Sequence, residues 1–122
     1  MNVKGLAPQL RTMDLERAIA FYRKLGFKEV FRVGDFYAGI EVGGDLVHLK
    51  LIEELDPGID FVRQGQHLHL YIIVDDIHAA LAEAREAGAM IVEKVTPREW
   101  KMNEFVIEDP DGHTLYFGQP RG

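Results

Sequence analysis

The chain has 122 residues, the length of one ordinary domain, and no cysteine, which excludes disulfides, thiolate metal centres, iron–sulfur clusters and a cysteine nucleophile. Fourteen Lys and Arg against twenty Asp and Glu leave a net charge of −6, which argues against the dense basic face that general nucleic-acid binding requires. That balance favours cationic or neutral small molecules as partners. No apolar stretch approaches the length of a membrane span, and Met1–Gly5 lacks the apolar core of a signal peptide, so a cytoplasmic single-domain protein is expected.

In chain order, Leu6–Arg11 reads as extended, and Asp14 stands as a helix cap before Leu15, Ala18, Ile19 and Tyr22. Leu25 prolongs this apolar stripe, and Gly26 occupies the place of a left-handed cap. Three strands are predicted next, Glu29–Val33, Phe36–Val42 and Asp45–Ile52, separated by Gly34-Asp35 and Gly43-Gly44. Glu53–Gln66, with Asp56-Pro57-Gly58, reads as a connector. His67–Val74 is extended, and Asp76 caps a second helix with Ile77, Ala80, Leu81 and Ala84 on one face and Gly88 at its end. Three further strands are predicted over Met90–Val95, Trp100–Glu108 and His113–Gly118, the last turn being Asp109-Pro110-Asp111-Gly112.

The second helix signature is the first displaced by 62 residues, from cap to closing glycine. Each half is therefore strand, helix, then three strands, an internal duplication. The halves cover about residues 3–53 and 67–120, and neither would bury its sheet alone, so one domain over 1–122 is expected. Along the strands, Leu68, Leu70, Ile72 and Val74 oppose His67, His69, Tyr71 and Ile73. Val47, Leu49 and Leu51 oppose Leu46, His48 and Lys50, and Leu115 and Phe117 oppose Thr114 and Tyr116. One face of each sheet suits packing under a helix. The mixed polar and aromatic face is either wet or lines a cavity, and the alternation leaves both open.

Asp14–Phe27, Trp100–Phe105 and Asp109-Pro110-Asp111-Gly112-His113 resemble signatures of the glyoxalase, bleomycin-resistance and extradiol-dioxygenase superfamily, the vicinal oxygen chelate proteins. The resemblance implies an α+β fold of two tandem βαβββ modules, whose curled mixed sheets form a cleft with His48, His69 and Tyr116 on its lining. It also implies a homodimer, since relatives commonly complete their sites that way. The superfamily holds both metalloenzymes and metal-free drug binders, so the fold alone does not choose between them. The ligand positions of its metal-dependent members fall here on Ala7, His48, His69 and Tyr116. Alanine coordinates nothing, the usual glutamates are absent, and a phenol with a pKa near 10 is a poor ligand for most divalent metals. The facing of Glu41 and Glu104 is not fixed by the sequence.

His67 and His69 form an H-x-H pair, a spacing seen in metal sites, but the favoured reading has His69 hydrogen-bonding inside the cavity and His67 partly solvated. His78 lies off its helix's apolar stripe, and His113 satisfies backbone groups of its turn. No nucleophile elbow, P-loop or dinucleotide glycine pattern occurs. Among Phe31, Phe36, Tyr37, Phe61, Trp100, Phe105 and Tyr116, most are expected in the core. Trp100, in a loop entering a strand, either pins that loop or walls a pocket, and the family's metal-free members favour the wall. The expectation is a non-catalytic binder that sequesters a planar or amphipathic ligand, lined by His48, His69, Tyr71, Trp100 and Tyr116, with no cofactor and no nucleic-acid or membrane partner. The alternative is a lyase, isomerase or dioxygenase holding one divalent metal ion on His48 and His69. A third possibility is an interaction subunit with a vestigial cavity.

Overall fold

Asp14 and Asp76 each cap a helix in the computed structural model, which describes residues 1–53, 58–65 and 67–122. Two units divide the chain. The first, Met1–Phe61, runs β1 (Gln9–Thr12), α1 (Leu15–Lys24), β2 (Lys28–Val33), β3 (Tyr37–Val42) and β4 (Asp45–Leu51). A short helix, α2 (Gly58–Arg63), runs through the boundary. The second, Val62–Gly122, continues with β5 (Leu70–Ile73), α3 (Ile77–Glu86), β6 (Met90–Pro97), β7 (Met102–Glu108) and β8 (Thr114–Pro120).

The caps act as their residue types dictate. The Asp14 carboxylate accepts from Arg17 N–H, and the Asp76 carboxylate from His78 and Ala79 N–H. At the other ends Gly26 and Gly88 take positive φ of 92° and 78°, so that Phe27 N–H reaches Tyr22 O and Ala89 N–H reaches Ala84 O, each at 3.0 Å. A side chain at either glycine would strain that closing turn.

Both sheets are mixed and have four strands, in the orders β1-β4-β3-β2 and β5-β8-β7-β6, with β1 parallel to β4 and β5 parallel to β8. This is the expected α+β class. In the first unit Leu15, Ala18, Ile19 and Tyr22 are buried, as are Ala38, Ile40, Val47 and Leu49 on the strands α1 covers. In the second, Ile77, Leu81 and Ala84 of α3 are buried with Phe105, Ile107, Leu115 and Phe117. Each large apolar side chain buried this way contributes roughly 1.5–3 kcal/mol. Phe105 and Phe117 stack at 4.8 Å.

A register shift repeats between the halves. Glu29 pairs with Ile40 but Phe31 with Gly39, and Ile91 pairs with Ile107 but Glu93 with Val106. The bulged residues, Val30 and Val92, are again 62 positions apart, and both are exposed. Each bulge turns the next side chain, Phe31 or Glu93, onto the sheet face opposite the helix.

Several expectations need correction. The predicted connector contains α2, where Ile59 and Val62 are buried one turn apart, a pattern too short to read as periodicity. Its Asp56-Pro57 lies outside the described residues. Strand β1 begins at Gln9 rather than Leu6; before it, Pro8 has no N–H to donate and its carbonyl accepts from His48 N–H at 2.8 Å. Strand β5 begins only at Leu70, because the His67 ring bonds to the Leu68 carbonyl, and Leu68 is exposed rather than aligned with Leu70 toward the core. Trp100 precedes its strand, in a turn closed by Lys101 N–H to Arg98 O at 3.2 Å. Of the seven aromatics named above, only Phe105 is fully buried, while Phe36, Phe61 and Trp100 are exposed.

Candidate ligand-binding site

The face of the second unit opposite α3 is built around one carboxylate. Glu104, on β7, is 1% exposed and faces away from α3, since Phe105 and Ile107, one and three residues on, take the opposite, helix-facing side. Its Oε2 accepts from Tyr71 O–H at 2.5 Å and from Trp100 Nε1–H at 2.8 Å, and its Oε1 from Arg98 Nε–H at 3.0 Å. Arg98 also pairs with Glu93 at 2.8 Å, the residue that the β6 bulge turns onto this face. Burial pushes the Glu104 carboxyl upward, but the bonds from Tyr71, Trp100 and Arg98 outweigh it and hold the group below the usual carboxylate range. Burial raises the Tyr71 phenol, and its bond to Glu104 raises it further. Glu93 lies below its ordinary value because Arg98 donates to it, and Glu93 and Glu104 together hold the Arg98 guanidinium above its own.

Tyr71 and Trp100 are thus anchored by their polar atoms while their rings remain exposed, at 48% and 63%. The Arg98 guanidinium lies 6.0 Å from the centroid of the indole. Gly118, on β8, lets Tyr71 cross the sheet, because a Cβ there would stand 2.5 Å from the tyrosine oxygen. Arg121 fastens the Trp100 turn from the chain's end, donating to Arg98 O at 2.9 Å and to Asn103 Oδ1 at 3.2 Å.

The remaining candidates fall into place around this centre or apart from it. Tyr116 is beside Tyr71 in register, and its ring is 5.2 Å from that of His69, which sits immediately before β5. His67 stands 5.0 Å from His69 and 5.9 Å from His113, so the H-x-H pair does share one side. His113 is buried, its own N–H donating to the Asp109 carboxylate at 2.8 Å. The second unit therefore carries four of the five predicted lining residues, His69, Tyr71, Trp100 and Tyr116, whereas His48 belongs to the first.

In the first unit His48 lies in a cross-strand row with Gln9, Gly39 and Phe31. Its Nδ1 is 2.7 Å from Tyr37 Oη, which accepts from Gln9 Nε2–H at 3.0 Å. Phe31 meets the imidazole edge-on at 5.3 Å and overlies Gly39, where any Cβ would collide with the ring. Sequence reasoning missed Gln9 and Arg98, took Phe31 and Tyr37 as ordinary core candidates, and left the facing of Glu104 open. Only the bulges and the pairing register decide those orientations. Among the described residues no three His, Asp or Glu side chains stand close enough to hold a metal ion.

A family model described as the Glyoxalase/Bleomycin resistance protein/Dioxygenase superfamily matches residues 6–117. A lactoylglutathione lyase of Haemophilus influenzae is 27% identical over 122 residues, covering 92% of this chain and 89% of that protein. Among solved structures, a bleomycin resistance determinant encoded on transposon Tn5 is similar at a TM-score of 0.77 and 21% identity, covering 98% of this chain and 100% of that one. A bleomycin-binding protein complexed with bleomycin is similar at a TM-score of 0.70 and 22% identity, covering 96% and 98%. At these identities the two structures share the fold.

Proposed function

The chain belongs to the Glyoxalase/Bleomycin resistance protein/Dioxygenase superfamily, and from that premise we propose that it binds and sequesters a planar or amphipathic small molecule without chemistry. The observation that carries this reading is the anchoring of Tyr71 and Trp100 on one and the same buried carboxylate, Glu104. Two exposed rings held by their polar ends lose little freedom when a flat ligand stacks on them, which favours binding. Glu104 has both oxygens engaged by three donors, so it is spent on holding the platform and not offered to a ligand or metal.

Likeness to a lactoylglutathione lyase favours a metalloenzyme as second reading. The donor set fits it poorly. Ala7 has no ligating atom and Tyr116 is a phenol, which leaves two histidines, whereas catalytic metal sites commonly hold three protein ligands. No step is therefore derived through a metal. Sequestration of a drug-like molecule in the cytoplasm, by a homodimer, is the biological role this reading carries.

Trp100 is the one tryptophan, so its fluorescence reports the site without labels. Elemental analysis and native mass spectrometry of protein purified without chelators are expected to give substoichiometric metal. Extracts or planar compounds that bind are expected to quench Trp100 saturably, and chelators to leave that affinity unchanged. Stoichiometric zinc, nickel, manganese or iron that disappears in His69→Ala would overturn the proposal.

A further inference from the structure

We infer that the first unit's sheet face opposite α1 holds a subsite for a planar anion, an aromatic carboxylate, with His48 as its hydrogen-bond donor; the inference rests on the small-molecule-binding reading above. The direction of one hydrogen-bond chain carries it. Gln9 Nε2–H donates to Tyr37 Oη, which stands 2.7 Å from His48 Nδ1. The phenol oxygen already accepts from Gln9 and still has its own proton to place. A neutral imidazole nitrogen is a far stronger base than a phenol oxygen, so Tyr37 donates and Nδ1 accepts. The His48 proton therefore resides on Nε2. Tyr37 is the ring's only hydrogen-bond partner among the described residues, and Nε2 is not a buried atom, so its N–H is open to solvent and to an incoming ligand acceptor. A nitrogen that carries its proton is a donor and no metal ligand.

The surroundings select the rest of the ligand. Phe31 and Tyr37 meet the imidazole at 5.3 and 5.4 Å, nearly perpendicular to it, and lie 6.2 Å apart at a shallow 27° to each other. Two near-parallel rings above a glycine floor suit a flat group. Three successive cross-strand rows lie on this face. Glu41 stands between Lys28 and Leu46, then His48 beside Gly39, then Lys50 between Arg11 and Tyr37. Directly opposed side chains have Cβ atoms roughly 4.5–5.5 Å apart, so Lys50 neighbours the tyrosine of the relay. Lys50 is the charged side chain beside Tyr37, one row from His48, and an anion bonded to His48 is drawn toward it, whereas Glu41 on the other side is opposed by Lys28.

Two-bond proton–nitrogen NMR, with the His48 signals assigned from His48→Gln, tests the relay without a ligand. The Nε2-protonated tautomer is expected in the wild type, and a mixture of tautomers in Tyr37→Phe. Titration with benzoate and with benzamidinium then compares one ring with opposite charge and hydrogen-bond polarity. Benzoate is expected to shift His48 and Tyr37 saturably, benzamidinium to leave them unmoved, and Lys50→Gln to weaken benzoate binding about tenfold. An Nδ1-protonated His48, a preference for benzamidinium, or benzoate leaving His48 unmoved would each overturn the subsite. Trp100 quenching by planar compounds with His48 unmoved would do so while leaving the broader binding reading intact.

Discussion

Glu104 shows what one residue decides. Its carboxylate collects three donors from two segments, Tyr71 of β5 and both Arg98 and Trp100 of the turn before β7, and replacing it with an amide would offer an N–H to at least one of them. Glu104→Gln is expected to cost about 2–4 kcal/mol, read as a lower urea midpoint at unchanged slope. The same variant should alter the acid limb of stability. Because the folded carboxyl lies below its ordinary value, its stabilisation is complete above an unfolded pKa of about 4.3 and is lost as pH falls through the folded value. The wild type should therefore lose stability more steeply below about pH 4.3 than Glu104→Gln does. Parallel slopes in the two proteins would contradict this account. Ligand affinity should fall in the variant as well, since Tyr71 and Trp100 lose their common anchor.

At the scale of the element, the two halves repeat their devices but not their chemistry. Both helices start on aspartate and end on a left-handed glycine, and both second strands bulge one residue before a side chain that matters. The bulge delivers Phe31 in one unit and Glu93 in the other. The same backbone solution thus supplies an aromatic wall once and the partner of Arg98 once. The caps themselves are open to measurement. Asp14→Ala removes one accepted N–H bond and Asp76→Ala removes two, so losses of about 1 kcal/mol are expected, with Asp76→Ala the larger. Urea denaturation of the two variants checks the order, and equal or reversed losses would contradict it.

For the whole molecule, the expectation concerns assembly. The outer strands β2 and β6 present Val30, Val33, Met90 and Val92 to solvent, and edges of this kind invite a covering partner. A two-fold homodimer covers the same patch on both copies at once. Light scattering is expected to give about twice the 13.9 kDa of the chain, and a lone 13.9 kDa species across micromolar concentrations would rule the dimer out. None of the described helices is long and apolar enough to cross a membrane.

Caps, turns and the helix-facing stripes depend on residues close in sequence, and the repeat is a likeness between two such local patterns, so the sequence by itself determined them. Asp14 caps because Arg17 is three residues on, and Leu49 faces the helix because alternation has period two. The ladders alone decided the rest. Tyr71 meets Glu104 across a separation of 33 residues, and Gln9 meets Tyr37 across 28. Those meetings require a parallel pairing in each sheet and, for Tyr71, a glycine at position 118 over which the side chain can cross. A bulge shifts the facing of every later residue on its strand by one, and no local propensity announces it. The candidate lining residues were legible as residue types on an alternating face, while the carboxylate that holds two of them became visible only through tertiary pairing.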